Sequence, residues 1–332
     1  MAPTTEAVRA PGTTAAADPG LETARRSFRS MGTTVTLIVP PPRSSSERIT
    51  VDRAARLAER TFVREDNRFS RFRHATEISR VNARAGVWTR VSPPFLELLL
   101  LSVEAAQLTG GLFDPTVLPA LLAAGYDRDF DDVIAGARLA LHPPEPCGRW
   151  PEIEVRRHEV RLPADTALDF GGIAKGWTVD RAAREIRGLV PWAVLDAGGD
   201  LLVVGRPPRG GLPIGVEDPD DPAGEVLRLN LEHGALATSS VRFRAWAPGL
   251  HHLIDPRTAR PADTGIVQAT VWAATCVAAE VGSKWALLEG EPVLERIAAV
   301  LVRGDGWVLS NLSDPQTAPI DRPNTDRGGV SP

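Results

Sequence analysis

The stretch Leu168-Asp169-Phe170-Gly171-Gly172-Ile173-Ala174-Lys175-Gly176-Trp177-Thr178-Val179-Asp180 constrains the fold more than any other. Ala167, Leu168 and Phe170 are strand-like, whereas Val179, Ala183 and Ile186 recur at helical spacing. The chain therefore passes from strand to helix across a pair of glycines. Glycines let a backbone approach a ligand closely and turn its N–H groups toward it. A helix N-terminus carries partial positive charge, to which Lys175 adds a full one. This pattern suits a phosphorylated ligand, with Asp169 placed for a hydroxyl, a ring N–H or a metal. An ordinary strand-to-helix turn with a surface lysine has the same letters, since short glycine motifs recur by chance.

The elements around this stretch decide the fold class. A length of 332 residues suggests two domains or one elaborate one. Residues 1–27 and 313–332 are expected to be disordered, leaving a globular part over residues 28–312. Residues 28–39 read as a strand opening at a Met31-Gly32 turn, with Val35, Leu37 and Val39 alternating. Val51, Ala54, Ala55, Ala58 and Phe62 trace one face of a helix. A second helix begins at Pro94 with Ser92 as cap, and Gly110-Gly111 ends it. Residues 127–142 look like a loop. Short strands are expected near 153–155, 160–162, 193–204, 214–216, 226–231, 235–237 and 267–273. Val277, Ala278, Val281, Trp285 and Leu288 form a helical stripe that Gly290 ends, and a last strand covers 298–302. Helices and strands are mixed without strict alternation, so an α+β fold is expected rather than a doubly wound sheet.

Composition excludes several functions. A net charge of −4 offers no general attraction for nucleic acid or an anionic membrane. Two distant cysteines, Cys147 and Cys276, make neither a disulfide framework nor a CxxC metal site. No apolar run reaches membrane-spanning length. The Ala/Thr/Pro-rich N-terminus lacks the charged-then-apolar order of a signal peptide, and no lipoprotein signal is seen, so a cytoplasmic location is expected. There is no GxGxxG after a strand and no GxxxxGK[ST] for a nicotinamide or P-loop enzyme.

Several motifs follow one another in a telling order. They are Met31-Gly32-Thr33, Phe69-Ser70-Arg71-Phe72, Phe113-Asp114-Pro115-Thr116, Asp169 through Asp180, Gly198-Gly199-Asp200, Thr238-Ser239, and His252-Leu253-Ile254-Asp255-Pro256-Arg257-Thr258. Over about residues 29–303 this set resembles the ApbE family of FAD:protein FMN transferases. The resemblance implies a two-part α+β fold with mixed or antiparallel sheets, flanking helices and FAD in the cleft between the parts. It also implies a reaction: FAD is cleaved at its pyrophosphate, FMN is joined through its phosphate to a threonine or serine of a target flavoprotein, and AMP leaves. Such a reaction calls for charge neutralisation at the phosphates and an activated hydroxyl. A divalent metal, Mg2+, usually supplies the first and a positioned base the second.

By position, Met31 and Phe72 resemble residues packing on the FAD rings, although Phe72 is also an ordinary core aromatic by type. Leu112, Phe113 and Asp114 resemble the segment whose backbone and carboxylate hold the cofactor, and Asp169 and Lys175 resemble cofactor-binding residues. Gly172 stands where a main-chain carbonyl helps hold the metal, and Ile254 where the flavin is contacted. His252 is the candidate catalytic base, assisted by Asp255, because an imidazole accepts a hydroxyl proton near neutral pH. A structural histidine bonded within a turn is the plainer alternative. Asp196, Gly198 and Gly199 are expected beside the cofactor, or else in a plain hairpin turn.

One departure from the family matters most. Glu280 and Lys284 stand where an aspartate and a threonine commonly ligate the metal. Both face one side of a helix, and Glu280 remains a possible ligand, but a lysine ammonium has no lone pair to offer. Either the ammonium replaces part of the metal's charge, or Lys284 pairs with Glu280 and the chain binds FAD with reduced or no catalysis. Release of free FMN and AMP by a FAD pyrophosphatase is the third reading. Ala259 and Ser240 stand where the family commonly has glycine, which would either narrow the space near the ligand or shift a turn that prefers positive φ.

Overall fold

A computed structural model describes residues 13–14, 21–134, 146–221 and 223–312. Eight strands form one sheet: β1 (Ala24–Ser30), β2 (Thr33–Val39), β3 (Trp192–Ala197), β4 (Leu201–Gly205), β5 (Gly234–Ser240), β6 (Ile266–Ala273), β7 (Ala298–Arg303) and β8 (Val308–Ser310). Each strand lies beside its neighbour in the chain, and every pair is antiparallel. The expected α+β class holds, because the long helical connections are insertions in a meander rather than crossovers between parallel strands.

Period-two alternation sorts the side chains of this sheet onto two faces. Leu37, Leu195 and Ala235 point to one face, against α1 (Ser45–Phe69) and, following α2 (Pro93–Leu108), against α3 (Ala174–Ile186). The contacts there are Val51, Ala54, Ala58 and Phe62 from α1, and Val179, Ala183 and Ile186 from α3. Ile38, Val194 and Leu236 point to the other face, where Leu212, Ile214, Leu229 and Leu231 of a further antiparallel hairpin cover them. Each fully buried leucine or isoleucine contributes about 1.5–3 kcal/mol.

Helix ends follow local chemistry. Ser92 accepts a hydrogen bond from Phe95 N at 3.4 Å at the start of α2, with Pro93 and Pro94 in its first turn. Gly110 and Gly111 follow its end with positive φ. α4 (Cys276–Glu289) is capped by Thr275 and ends at Gly290. α2 and a small sheet (Thr89–Arg90, Glu154–Arg156, Glu159–Arg161) build a second part around Phe69, Phe95, Phe170 and Trp177, whose rings meet at 5.4–6.2 Å.

Several expectations need correction. β1 starts at Ala24, inside the expected disordered lead, because Ala24 to Ser30 pair with Val39 to Thr33 and Phe28 packs edge-on to Phe62. Thr13–Thr14 pairs with Val216 and Gly215. The rest of residues 1–20 and the tail at 313–332 lie outside the described residues. A short helix, Phe130–Ile134, stands within the expected loop, and residues 135–145 lie outside the described ones. Ala167, Leu168 and Phe170 join no strand. Their backbone is satisfied otherwise: Asn82 brackets Leu168 through both its amide atoms at 2.8 and 2.9 Å, and Asp169 N donates to Pro115 O at 2.9 Å. Among the described residues no helix is long and apolar enough to cross a membrane.

Candidate functional site

A cleft of about 560 Å³ opens where the helical part meets the sheet. Its first wall is the β1–β2 hairpin. Met31 and Gly32 both have positive φ (50° and 68°), the geometry that matches strand twist in a two-residue turn. The second wall follows α1. Arg71 Nε bonds Asp169 Oδ2 at 2.7 Å. The same guanidinium lies 4.2 Å over Phe72 and 4.6 Å over Tyr126, which stacks on Trp246 at 5.3 Å. Phe72 is thus a cleft residue that also packs in a cluster with Tyr126.

Leu112, Phe113 and Asp114 line the third wall. The Asp114 carboxylate is turned inward: Oδ1 accepts from Thr116 N and Oγ1 at 2.7 and 2.6 Å, and Oδ2 accepts from Gly148 N at 2.6 Å. That carboxylate holds a turn at the edge of the cleft it lines.

The glycine stretch forms the floor, and it is more closed than its letters suggest. Gly171 N donates to Asp169 Oδ1, Ile173 N and Ala174 N both donate to Phe170 O, and Gly176 N donates to Glu280 Oε2 at 2.8 Å. The expected cradle of N–H groups at the start of α3 is therefore largely occupied by protein acceptors. Lys175 turns its ammonium to Asp200 and to Glu280 Oε1, the latter at 2.7 Å. Burial works against the Lys175 charge, but the two carboxylates outweigh it and hold its pKa above the ordinary value. Burial likewise opposes ionisation of Glu280, yet Lys175 and Lys284 draw its pKa below the usual carboxylate value. α3 and α4 are clamped reciprocally here. Asp180 of α3 accepts from Cys276 N and Val277 N at 2.9 and 3.0 Å, while Glu280 of α4 reaches back to Gly176. Gly176 has to be glycine, because a Cβ would lie 2.6 Å from Cys276 O.

The last wall comes from the segment before β6 and from α4. His252 and Ile254 line the cleft, with Arg244 and Lys284. His252 Nδ1 is buried and has no hydrogen-bond partner among the described residues. Burial, then the charges of Arg244 and Lys284, push its pKa well below the ordinary 6.5, so the imidazole is neutral. Its neighbour His251 is the structural histidine: Nε2 meets Ala262 O at 3.0 Å, and Leu253 N donates to Nδ1 at 3.3 Å. Asp255 makes no hydrogen bond to His252 Nδ1. Its carboxylate is gripped by Arg257, from Nη2 at 2.7 Å and from Nε and the backbone N at 2.9 Å.

Glu280 and Lys284 are 3.6 Å apart, but Lys175 is the closer partner of Glu280. Lys284 Nζ instead lies 3.2 Å from Glu280 O and 3.5 Å from Ser239 Oγ, and burial lowers its pKa. Its stem lies against Gly172, where a Cβ would come within 3.0 Å of it. Both Glu280 oxygens already have donors, and two ammoniums occupy the surroundings. Among the described residues no three His, Cys, Asp or Glu side chains gather as ligands. The donor set therefore does not fit a divalent cation: it presents positive charge where a metal would need lone pairs.

Asp196, Gly198 and Gly199 do not line the cleft. Gly199 N donates to Asp196 Oδ1 at 2.9 Å in the β3–β4 turn, and a Cβ on Gly198 would strike Thr33. This is the plain hairpin reading. Tyr126, Trp246 and Arg244 carry no signal in the sequence beyond type, although Tyr126 is the chain's single tyrosine. Arg71 and Asp200 sit inside recognised motifs, yet their roles appear only when their partners do.

The model of the ApbE family matches residues 31–302. A FAD:protein FMN transferase from Rhodobacter capsulatus is 31% identical over 242 residues, covering 67% of this chain and 44% of that protein. This chain thus spans less than half the length of that relative. A FAD:protein FMN transferase from Vibrio cholerae serotype O1 is 29% identical over 243 residues, covering 67% of this chain and 69% of that one. The crystal structure of the ApbE protein from Thermotoga maritima superposes with a TM-score of 0.76 at 23% identity, over 87% of this chain and 97% of that one, and shares the fold.

Proposed function

Since this chain belongs to the ApbE family, we propose that it cleaves FAD and attaches FMN through a phosphoester to a threonine or serine of a target flavoprotein, releasing AMP. The acceptor hydroxyl oxygen bonds to the FMN phosphorus, and the P–O–P bond breaks. The bridging oxygen leaves with AMP. The hydroxyl proton passes to His252.

The observation that carries this reading is the place of His252 in the wall of a large cleft, where burial and the neighbouring cations hold its pKa well below the ordinary value and its buried Nδ1 has no partner among the described residues. A base needs a lone pair within reach of the reacting hydroxyl, and both ring nitrogens of His251 next door are already bonded to backbone. Met31, Phe72 and Ile254 supply apolar surface for the flavin rings in the same cleft. Leu112, Phe113, Asp169 and Lys175 complete the cofactor wall, Asp169 and Lys175 by holding Arg71 and the α3–α4 junction in place. Gly172, Glu280 and Lys284 mark the metal position by resemblance, but no step is assigned to Mg2+. Turnover is expected to depend on magnesium more weakly than in relatives with the aspartate and threonine pair. A cytoplasmic location belongs to the same proposal, and cell fractionation tests it.

Purified protein mixed with FAD and a peptide bearing an acceptor threonine tests the reaction. An FMN adduct by mass spectrometry, with stoichiometric AMP, is the expected result. FAD retention without turnover, the reading Lys284 favours, gives neither product. Free FMN and AMP without adduct select a pyrophosphatase.

A further inference from the structure

The positive charges lining the cleft differ in how they are balanced. Arg71 is paired with Asp169, Arg73 with Asp66, Lys175 with two carboxylates, and Lys284 lies beside Glu280. Arg244 is different. Among the described residues its one polar side-chain contact is a long one, Nη2 to Gly32 O at 3.5 Å, and none of their carboxylates forms an ion pair with it. It is half-buried, so its charge is only partly hydrated.

Its position is set by backbone. Ala245–Ala247 pairs with Leu250–His251, with Ala245 opposite His251, which brings Arg244 level with His252. His252 N donates to Arg244 O at 3.3 Å. The guanidinium reaches across to the Met31-Gly32 turn, where a Cβ on residue 32 would stand 3.7 Å from Nη2. A cation beside the neutral imidazole weakens a base unless an anion arrives to neutralise it. The amides at the start of α3 are mostly taken, so they offer that anion little.

Resting on the proposed function, we infer that Arg244 is the residue that grips the diphosphate of FAD, as a fork that donates to its oxygens beside His252. The N–H groups of a glycine turn would hold phosphate by backbone alone. Here a side chain contributed by the hairpin before the histidine does so. Recognition then falls on the diphosphate rather than on the flavin ring, and FAD is selected over riboflavin at this point.

Fluorescence titrations of the full-length protein with FAD and with riboflavin test this. Arg244→Gln is expected to weaken FAD binding on the order of 10- to 100-fold, the worth of a charge-assisted hydrogen bond, and to leave riboflavin binding unchanged. Arg244→Lys is expected to recover part of the loss, with KM for FAD moving more than kcat. Equal FAD affinity in wild type and Arg244→Gln overturns the inference. So does a parallel loss of both ligands, which would make the guanidinium structural. Wild-type protein that binds no FAD removes the proposed function itself, and this inference with it.

Discussion

Two groups of charge stand in one cleft, and they are built on opposite plans. Around Lys175 every charge is answered: Asp200 and Glu280 hold the ammonium, and Gly176 N completes Glu280. Around His252 the groups are left unmatched: among the described residues Nδ1 has no partner and Arg244 has no carboxylate. A closed set of charges fixes helices against each other. An open set has capacity for a ligand. Residue type does not distinguish them, since each contains a cation next to a titratable group.

The largest effect should come from opening the closed group. Glu280→Ala leaves two ammoniums, Lys175 and Lys284, against the single carboxylate of Asp200 and removes the acceptor of Gly176 N, so a loss of about 3–5 kcal/mol is expected. Chemical denaturation checks it. An unchanged midpoint would mean that the cluster does not hold α3 to α4.

The open group should respond in activity, not stability. His252→Ala is expected to lower kcat about 10²–10⁴-fold, while FAD binding and the denaturation midpoint stay near wild type. The acid limb of the kcat profile should lie well below pH 6.5, because burial and the neighbouring cations keep the imidazole neutral there. A limb at the ordinary histidine value contradicts the geometry.

Lys284 lies between the two groups. Lys284→Thr replaces an ammonium with a hydroxyl that can ligate, and is expected to raise the dependence of turnover on magnesium severalfold. Wild-type activity that vanishes with EDTA and returns in full with magnesium would place a metal in the site after all.

The smallest effect concerns a half-buried acid away from the cleft. Burial pushes Asp196 up to about 7 from 3.8. The folded state then holds a proton that the unfolded chain releases. Stability from this group is complete below pH 3.8 and is lost as pH rises through about 7. Asp196→Asn keeps the acceptor for Gly199 N, so it should raise Tm at pH 8 and change little near pH 4. A Tm gain that is equal at both pH values argues against a buried proton.

Much of the fold was legible from short-range pattern. The alternation of Val35, Leu37 and Val39 and the stripe through Val51, Ala54, Ala58 and Phe62 marked buried faces that the structure bears out. The cleft was legible through motif order, which named His252, Phe72 and Lys284 before any contact was known. What these groups bond to was not legible. The pairing of Asp169 with Arg71, and of Asp255 with Arg257, has no mark in the sequence.

By itself, the amino-acid sequence determined which segments are strands and helices, where the turns fall and which chemical groups are present, because those depend on neighbours within a few residues. Tertiary structure alone decided which charges cancel. Lys175 meets Glu280 across 105 residues and Arg244 approaches Gly32 across 212. Neutralisation depends on separation in space, so the difference between a closed ion cluster and an open site exists only once the chain has folded.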